Sequence, residues 1–395
     1  MAVDMRREVL VIGAGPAGLC AAYYLQQAGI AFHVVDRAPV VGSTWANLYP
    51  SLQLNTLAWN SHLPGEHMPL RFGPYPMGTD YYAYLKRYAE RHHFPITLNT
   101  EVTRVSPQDE AWCVESIDLV SGERRADLYA AVIVATGRFS NPYLPPLPGM
   151  DTFTGKILHA RDFHDPNAYG GQRVMVVGNG PSGGDIAAAL ANAVPAPQYP
   201  ILLAIRSDVL VARKYPFGLP HSVWQLLLHP LPERIRKPLV DFTVYRGYRG
   251  MKRLPIKFAP NRTDRLGTSA PVRGRELIDA LERGQVFGTA GLAGFEGQEA
   301  ILLDGSRHGV DTVIFCTGYR PALGYLDVPF ETDKDGWMVR EIDPVFGENG
   351  MEMAGYPGLY LVGRYYRGFG AMYNFRQEAR IAVEQIKRRF GRESA

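Results

Sequence analysis

The stretch Phe153–Asp185, "FTGKILHARDFHDPNAYGGQRVMVVGNGPSGGD", decides the fold. From Val174 it runs as a short apolar strand into Gly178-Asn179-Gly180-Pro181-Ser182-Gly183 and then into a helical pattern. The first glycine permits a tight turn, the second lets the backbone approach a phosphate, and the third lets the helix pack on the strand. Unsatisfied N–H groups and the positive dipole end at the helix start favour an anion there. The same plan has already occurred at "VLVIGAGPAG", with Gly13, Gly15, Pro16, Ala17 and Gly18 in the turn. Two such turns in one chain imply two dinucleotide cofactors.

Outward from the first turn, Glu8–Ile12 reads as a strand, Leu19–Ala28 as a helix stopped by Gly29, and "AFHVVD" as a second parallel strand ending in Asp36. A carboxylate at that strand end accepts hydrogen bonds from ribose hydroxyls. Outward from the second turn, "PILLAIRS" supplies the corresponding strand, but it ends in Arg206-Ser207. An acid there repels a ribose 2′-phosphate, whereas a guanidinium binds it in a fork, so the pair of turns reads as FAD first and NADPH second.

The rest of the chain fits this frame. "RAPVVGSTWANLYPSLQLNT" and the Pro-rich run to Pro76 read as loop over a cofactor. Asp80–His92 reads as a helix with Tyr81, Tyr84, Leu85 and Tyr88 on a core-facing side. Segments around Glu101–Val105, Trp112–Leu119 and Leu128–Val134 suggest an antiparallel meander returning to the main sheet at "AAVIVATGRF". Pro142, Pro145, Pro146 and Pro148 make a stiff connector. "VWQLLLHPLPERIRKPLVDF" reads as two short amphipathic helices, "GRELIDALERGQVF" as helix then strand, and "DTVIFCTGYRP" as a buried strand. Its Thr317-Gly318 end echoes Thr136-Gly137. The chain closes with a strand, a glycine-rich loop and a long helix from about Ala371, whose N-terminus can stabilise negative charge on a reduced flavin if it returns to the first domain.

The expected fold class is α/β, with two Rossmann-like dinucleotide-binding domains and the NADPH domain inserted into the FAD domain. The expected division is 1–165 for the first part of the FAD domain, 166–320 for the NADPH domain with a mostly helical insertion at about 208–271, and 321–395 for the rest of the FAD domain.

Composition narrows the function. Of the 395 residues, three are cysteines without CxxC or metal-ligand spacing, which excludes a zinc site and a dithiol redox centre from the reading. Net charge is only +3, yet Ile205–Arg275 holds 15 Lys and Arg against 4 Asp and Glu. That basic island reads as a cap over a substrate pocket, as a peripheral membrane contact, or as a solvated face; no nucleic-acid motif accompanies it. Val9–Val35 lacks Asp, Glu, Lys and Arg, but its glycines, proline and glutamines suit a buried strand-helix-strand and not a transmembrane segment. The N-terminus has no apolar signal region, so a cytoplasmic location is expected.

Phe153, Gly155, His159 and Phe163 form F-x-G-x-x-x-H-x-x-x-F directly before the second turn, which resembles the identifying motif of the flavin-containing monooxygenases. The resemblance extends through "GAGPAG", "GSTW", "LQLNT", "GNGPSGGDIA", "AIRS", "CTGYRP" and "LVGR". Baeyer–Villiger monooxygenases close the motif with Trp-Pro, where this chain has Phe163-His164. "IRSDVLVARKYPFG" and "RGFGAMYNF" are similar to the bacterial and plant branch that includes indole-pyruvate monooxygenases, although "AMYNFRQEA" departs from that branch's small-residue pattern. The resemblance implies that NADPH reduces FAD, that O2 gives a C4a-(hydro)peroxyflavin, and that one oxygen atom passes to a small substrate; the aromatic and basic lining candidates at Leu48–Tyr75 and Arg213–Arg265 suit an aromatic or planar one, neutral or anionic. It further implies a catalytic role for Asn55 near flavin and nicotinamide. It places Arg37, Trp45, Thr56, Val102, Tyr319 and Gly363 beside the cofactors, with the two turns and the two Thr-Gly ends. His159 reads as a structural hydrogen-bonder. The other readings are an NADPH oxidase or reductase of the same fold, a Baeyer–Villiger-type enzyme, and a non-catalytic flavin sensor.

Overall fold

The computed structural model describes residues 8–258, 271–333, 336–364 and 370–392, so Arg265, Tyr365–Phe369 and the Arg367-Gly368-Phe369 part of "RGFGAMYNF" lie outside the described residues. The chain forms two compact units: residues 1–46, 58–141 and 319–395, and residues 47–57 with 142–318.

The first unit is built on a six-stranded sheet in the order Glu352–Met353, Tyr356–Leu361, Ala131–Val134, Val9–Ile12, Phe32–Val35, Ile96–Thr97. All neighbours are parallel except the first pair. Val9–Ile12 and Ala131–Val134 are buried at every residue, as strands covered on both faces must be. Helix Pro16–Gln27 makes the crossover to Phe32–Val35, and the C-terminal helix Ala371–Arg392 returns to pack along it. Helix Gly78–His92 buries Tyr81, Tyr84, Leu85 and Tyr88 as expected. The antiparallel meander is Thr100–Gln108, Ala111–Asp118 and Arg124–Tyr129. Its third strand ends at Tyr129, and Ala131–Val134 belongs to the parallel sheet, so the expected single segment Leu128–Val134 is two strands of opposite surroundings.

The second unit holds a five-stranded, all-parallel sheet in the order Val286–Ala290, Ile201–Ile205, Val174–Val177, Thr312–Phe315, Lys156–His159. Val174 and Val176 face one apolar core and Met175 the other. Phe163 packs in the first of these and Phe153 against the second, so the F-x-G-x-x-x-H-x-x-x-F motif staples the edge strand to both faces of its sheet. The unit includes this edge strand and starts at Pro142. The unit also takes Asn47–Leu57, because Tyr49 is buried there, 5.5 Å edge-on to Phe163, with Leu52 against the same core. A second three-stranded meander, Leu292–Glu296, Glu299–Leu302 and Arg307–Gly309, was not expected from the sequence.

The insertion contains helices His221–Leu228 and Glu233–Thr243 and a two-stranded parallel ribbon, Val211–Ala212 beside Val272–Arg273. Val240 and Val244 face inward with Tyr245, whereas Ile235, Leu239 and Phe242, at helical spacing, are exposed.

Candidate cofactor and substrate site

In the first turn, Gly13 has φ +114°, and a Cβ there would stand 2.6 Å from Ala135 O. A Cβ on Gly18 would lie 1.8 Å from Gly13 O, so only glycine lets helix meet strand. Gly15 is different: nothing lies within 4 Å of its Cβ position. That open space faces a helix that begins at Pro16 without a side-chain cap, which is the geometry a pyrophosphate requires. The second turn repeats it. Gly178 has φ +133° with Cys316 O 2.5 Å from its Cβ position, Gly183 is closed by Gly178 O at 2.3 Å, and Gly180 is open before Pro181 and the exposed Ser182. The residues present therefore fit two dinucleotides.

The surroundings of the turns differ. Asp36 Oδ2 accepts the Ala14 N–H at 2.7 Å and Oδ1 accepts the Ala38 N–H at 2.8 Å. Burial raises its pKa, and these backbone donors, with Arg37, act in the opposite direction. Ala14 O in turn accepts from Gly42 N at 3.0 Å, which seats the Gly42–Trp45 turn, and Trp45 meets Tyr81 edge-on at 4.5 Å. Arg37 is exposed and donates to Ser140 O. In the second unit the link runs the other way: Asn179 Nδ2 donates to Ser207 Oγ at 2.8 Å and to the carbonyls of Ser207 and Asp208 at 3.1 Å. Arg206 is exposed and, among the described residues, forms no ion pair.

Each Thr-Gly end is fixed by neighbouring segments of its own unit. Gly137 has φ +72°, and Gly363 has φ +86° with its Cβ position 3.0 Å from Ala17 Cβ and 3.9 Å from Gly137 Cα. Gly363 N donates at 2.5 Å to Glu378 Oε2, a carboxylate buried on the C-terminal helix that also accepts from Arg364 N. Sequence reading missed Glu378. Its signal was position: it falls in the apolar stripe of Phe375, Ala379, Ala382 and Ile386. In the second unit, Thr317 Oγ1 donates to Tyr143 O at 2.5 Å, and Gly318 O accepts both Tyr143 N and His159 Nε2 at 3.0 Å. His159 Nδ1 accepts from Arg161 N, so its proton sits on Nε2, and burial lowers its pKa. A buried neutral imidazole with both nitrogens engaged is a structural bond.

The remaining expected residues are dispersed. Thr136, half-buried, follows the strand Ala131–Val134. Tyr319 meets Phe139 edge-on at 5.3 Å. Val102 is buried in the core of the first sheet with Leu10 and Val35, so only its backbone is available to a nucleotide. Asn55 and Thr56, half-buried, lie on the strap of the second unit.

Paired turns of this kind define a two-dinucleotide oxidoreductase fold. Residues 10–194 match the family model described as pyridine nucleotide-disulphide oxidoreductase. A solved flavin-containing monooxygenase from Stenotrophomonas maltophilia superposes with a TM-score of 0.70 at 26% identity, covering 97% of this chain and 98% of that one. The rice (Oryza sativa subsp. indica) indole-3-pyruvate monooxygenase is 29% identical over 381 residues, 90% of this chain and 87% of the rice protein. A 4-hydroxybenzoate brominase (decarboxylating) of Marinomonas mediterranea is 28% identical over 356 residues, 84% of this chain, which spans 66% of the length of that relative. The chain is thus similar over nearly its whole length to flavin-containing monooxygenases, and it is a flavin- and pyridine-nucleotide-dependent oxidoreductase. Among the described residues, no helix is long and apolar enough to cross a membrane.

Proposed function

We propose that this protein is an NADPH- and O2-dependent monooxygenase that transfers one oxygen atom to a small aromatic substrate, with FAD on the Gly13–Gly18 turn of the first unit and NADPH on the Gly178–Gly183 turn of the second. The observation that carries this reading is the pair of matched turns with opposite strand ends, Asp36 in one and the exposed Arg206 in the other. Bound FAD, once reduced, supplies the oxygen-activating chemistry. The chain's own residues bind, orient and shield: the open Gly15 and Gly180 positions receive pyrophosphates, Asp36 stands at the FAD ribose, and Arg206 with Ser207 receives the 2′-phosphate. Asn55, on the strap held by Tyr49 and Phe163, is the amide assigned to the reacting centre. The insertion serves as a cap and the protein acts in the cytoplasm; the exposed Ile235, Leu239 and Phe242, with Arg246 4.9 Å over the Phe242 ring, favour peripheral contact with an anionic membrane as its second role.

The aromatic substrate class is supported by relatives whose names specify indole-3-pyruvate and 4-hydroxybenzoate. A dithiol reductase is disfavoured because Cys20 is buried and Cys316 half-buried, the two are far apart in sequence, and burial pushes both thiol pKa values up. The test is isotopic: FAD-loaded enzyme, NADPH and 18O2 are incubated with a panel of aromatic acids and amines. One 18O atom in a product is expected. Quantitative hydrogen peroxide with every compound would make the protein an oxidase.

A further inference from the structure

Along the helix that follows the second glycine turn, the second unit gathers ionisable side chains that the proposed chemistry leaves unused. The ribbon pairs Ala212 with Arg273, which brings Arg273 alongside the chain that continues to Lys214. The ribbon lies on the first turns of helix Pro181–Ala191, since a Cβ on Gly184 would stand 2.7 Å from Val272. Asp185 follows directly. Lys214 Nζ donates to Gln53 Oε1 at 2.5 Å, which ties this cluster to the strap two residues from Asn55. His221, buried, donates its backbone N–H to Lys214 O at 3.0 Å, and its Nε2 lies 3.2 Å from Ser222 Oγ.

One atom of this cluster is out of balance. Arg273 Nη1 is buried and, among the described residues, has no hydrogen-bond partner. A guanidinium is always charged, and a buried donor left unpaired costs its full desolvation, so an orphan of this kind calls for an acceptor that the described residues do not provide. Neither nearby acid meets the need. Glu276 is exposed and turned onto Gly274, whose Cβ position is 2.1 Å from its Oε2. Asp185 is pushed up to about 7 by burial and then by Glu276, with Lys214 opposing, so its carboxyl is only partly ionised near neutrality. Burial first, and then the charges of Arg273 and Lys214, push His221 down to about 2.

We infer that Arg273 and Lys214 form an anion site that takes the carboxylate of the substrate, placing its aromatic portion toward the strap that carries Asn55. This makes the substrate class an aromatic carboxylic acid. It rests on the monooxygenase reading for the identity of the ligand as a substrate, but the binding site itself is testable without turnover. The competing source of the same chemistry is a nucleotide phosphate.

The experiment is equilibrium dialysis of FAD-loaded enzyme with phenylacetate, its neutral isostere phenylacetamide, inorganic phosphate and NADP+. Wild type is expected to bind phenylacetate more tightly than the amide. Arg273→Met weakens phenylacetate by roughly 10- to 100-fold, the loss of a charge-assisted bond, and leaves phenylacetamide and NADP+ within about two-fold. Arg273→Lys recovers part of the loss, which guards against a variant that only misfolds. No preference for the acid in wild type, an equal loss for acid and amide, or a parallel loss of phosphate and NADP+ would overturn the assignment. If phenylacetate binding behaves as expected while no 18O reaches any product, the site stands and the monooxygenase reading fails.

Discussion

The two glycine turns have nearly the same backbone and opposite surroundings. Gly15 sits at φ −82°, ψ −176° and Gly180 at φ −85°, ψ −176°, each just before a Pro-initiated, uncapped helix. Both turns are tied to the end of the neighbouring strand, but in the first the strand-end carboxylate of Asp36 reaches back to the turn, and in the second the turn's own Asn179 reaches out to Ser207 and Asp208. The same mechanical link therefore leaves a negative group at one ribose position and none at the other, where Arg206 extends into solvent. On the proposed reading, phosphate binding resides in backbone that both turns share, and selectivity in which partner supplies the side chain of the link.

Adding a Cβ breaks the shared part. Gly13→Ala and Gly178→Ala each combine a positive φ with a backbone oxygen 2.6 and 2.5 Å from the new atom, respectively. Each should cost about 3 kcal/mol or more. Gly13→Ala is expected to purify without FAD, whereas Gly178→Ala, if soluble, should keep FAD and lose nucleotide binding; flavin absorbance and NADP+ dialysis distinguish them. Equal loss of both ligands in both variants would contradict the division.

Cutting the links is the milder test. Asp36→Ala strands the Ala14 and Ala38 N–H groups and should lower FAD affinity, at roughly 1–3 kcal/mol for each group left buried. Asn179→Ala should raise the NADPH KM several-fold with FAD content intact, consistent with losing about 1 kcal/mol of hydrogen bonding. An unchanged KM would show that the Asn179 link does not shape the nucleotide site.

The smallest effect concerns His159. Its folded pKa is lowered by burial, so the unfolded chain takes up its proton first as pH falls. The stability it contributes is full above the unfolded pKa of about 6.5 and declines below it. Melting temperature should therefore fall between pH 7.5 and 5.5 more in wild type than in His159→Gln. Parallel falls would remove the imidazole from the account.

Legibility from sequence followed the range of the interactions. Both strand-turn-helix units, the tyrosine face of Gly78–His92 and the helix start at Ala371 were readable, because local periodicity and glycine spacing govern them. The strap was not: Asn47–Leu57 crosses to the second unit without a break in composition, and only the Tyr49–Phe163 contact reveals it. The partner of His159 and the strand beside Arg273 were equally hidden, since Gly318 is 159 residues from the first and Val211–Ala212 lies far upstream of the second. Glu378 was readable in principle, as a charge in an apolar stripe, and was obscured by the many charges around it.

The division of labour between the turns is tested most directly by anaerobic reduction of the bound flavin. Wild type should be reduced by NADPH at concentrations roughly 10- to 100-fold lower than by NADH, and Arg206→Ala should erase that preference by weakening NADPH alone. Equal weakening of both nucleotides, or a preference that survives the substitution, would contradict the assignment of the second turn to NADPH through Arg206.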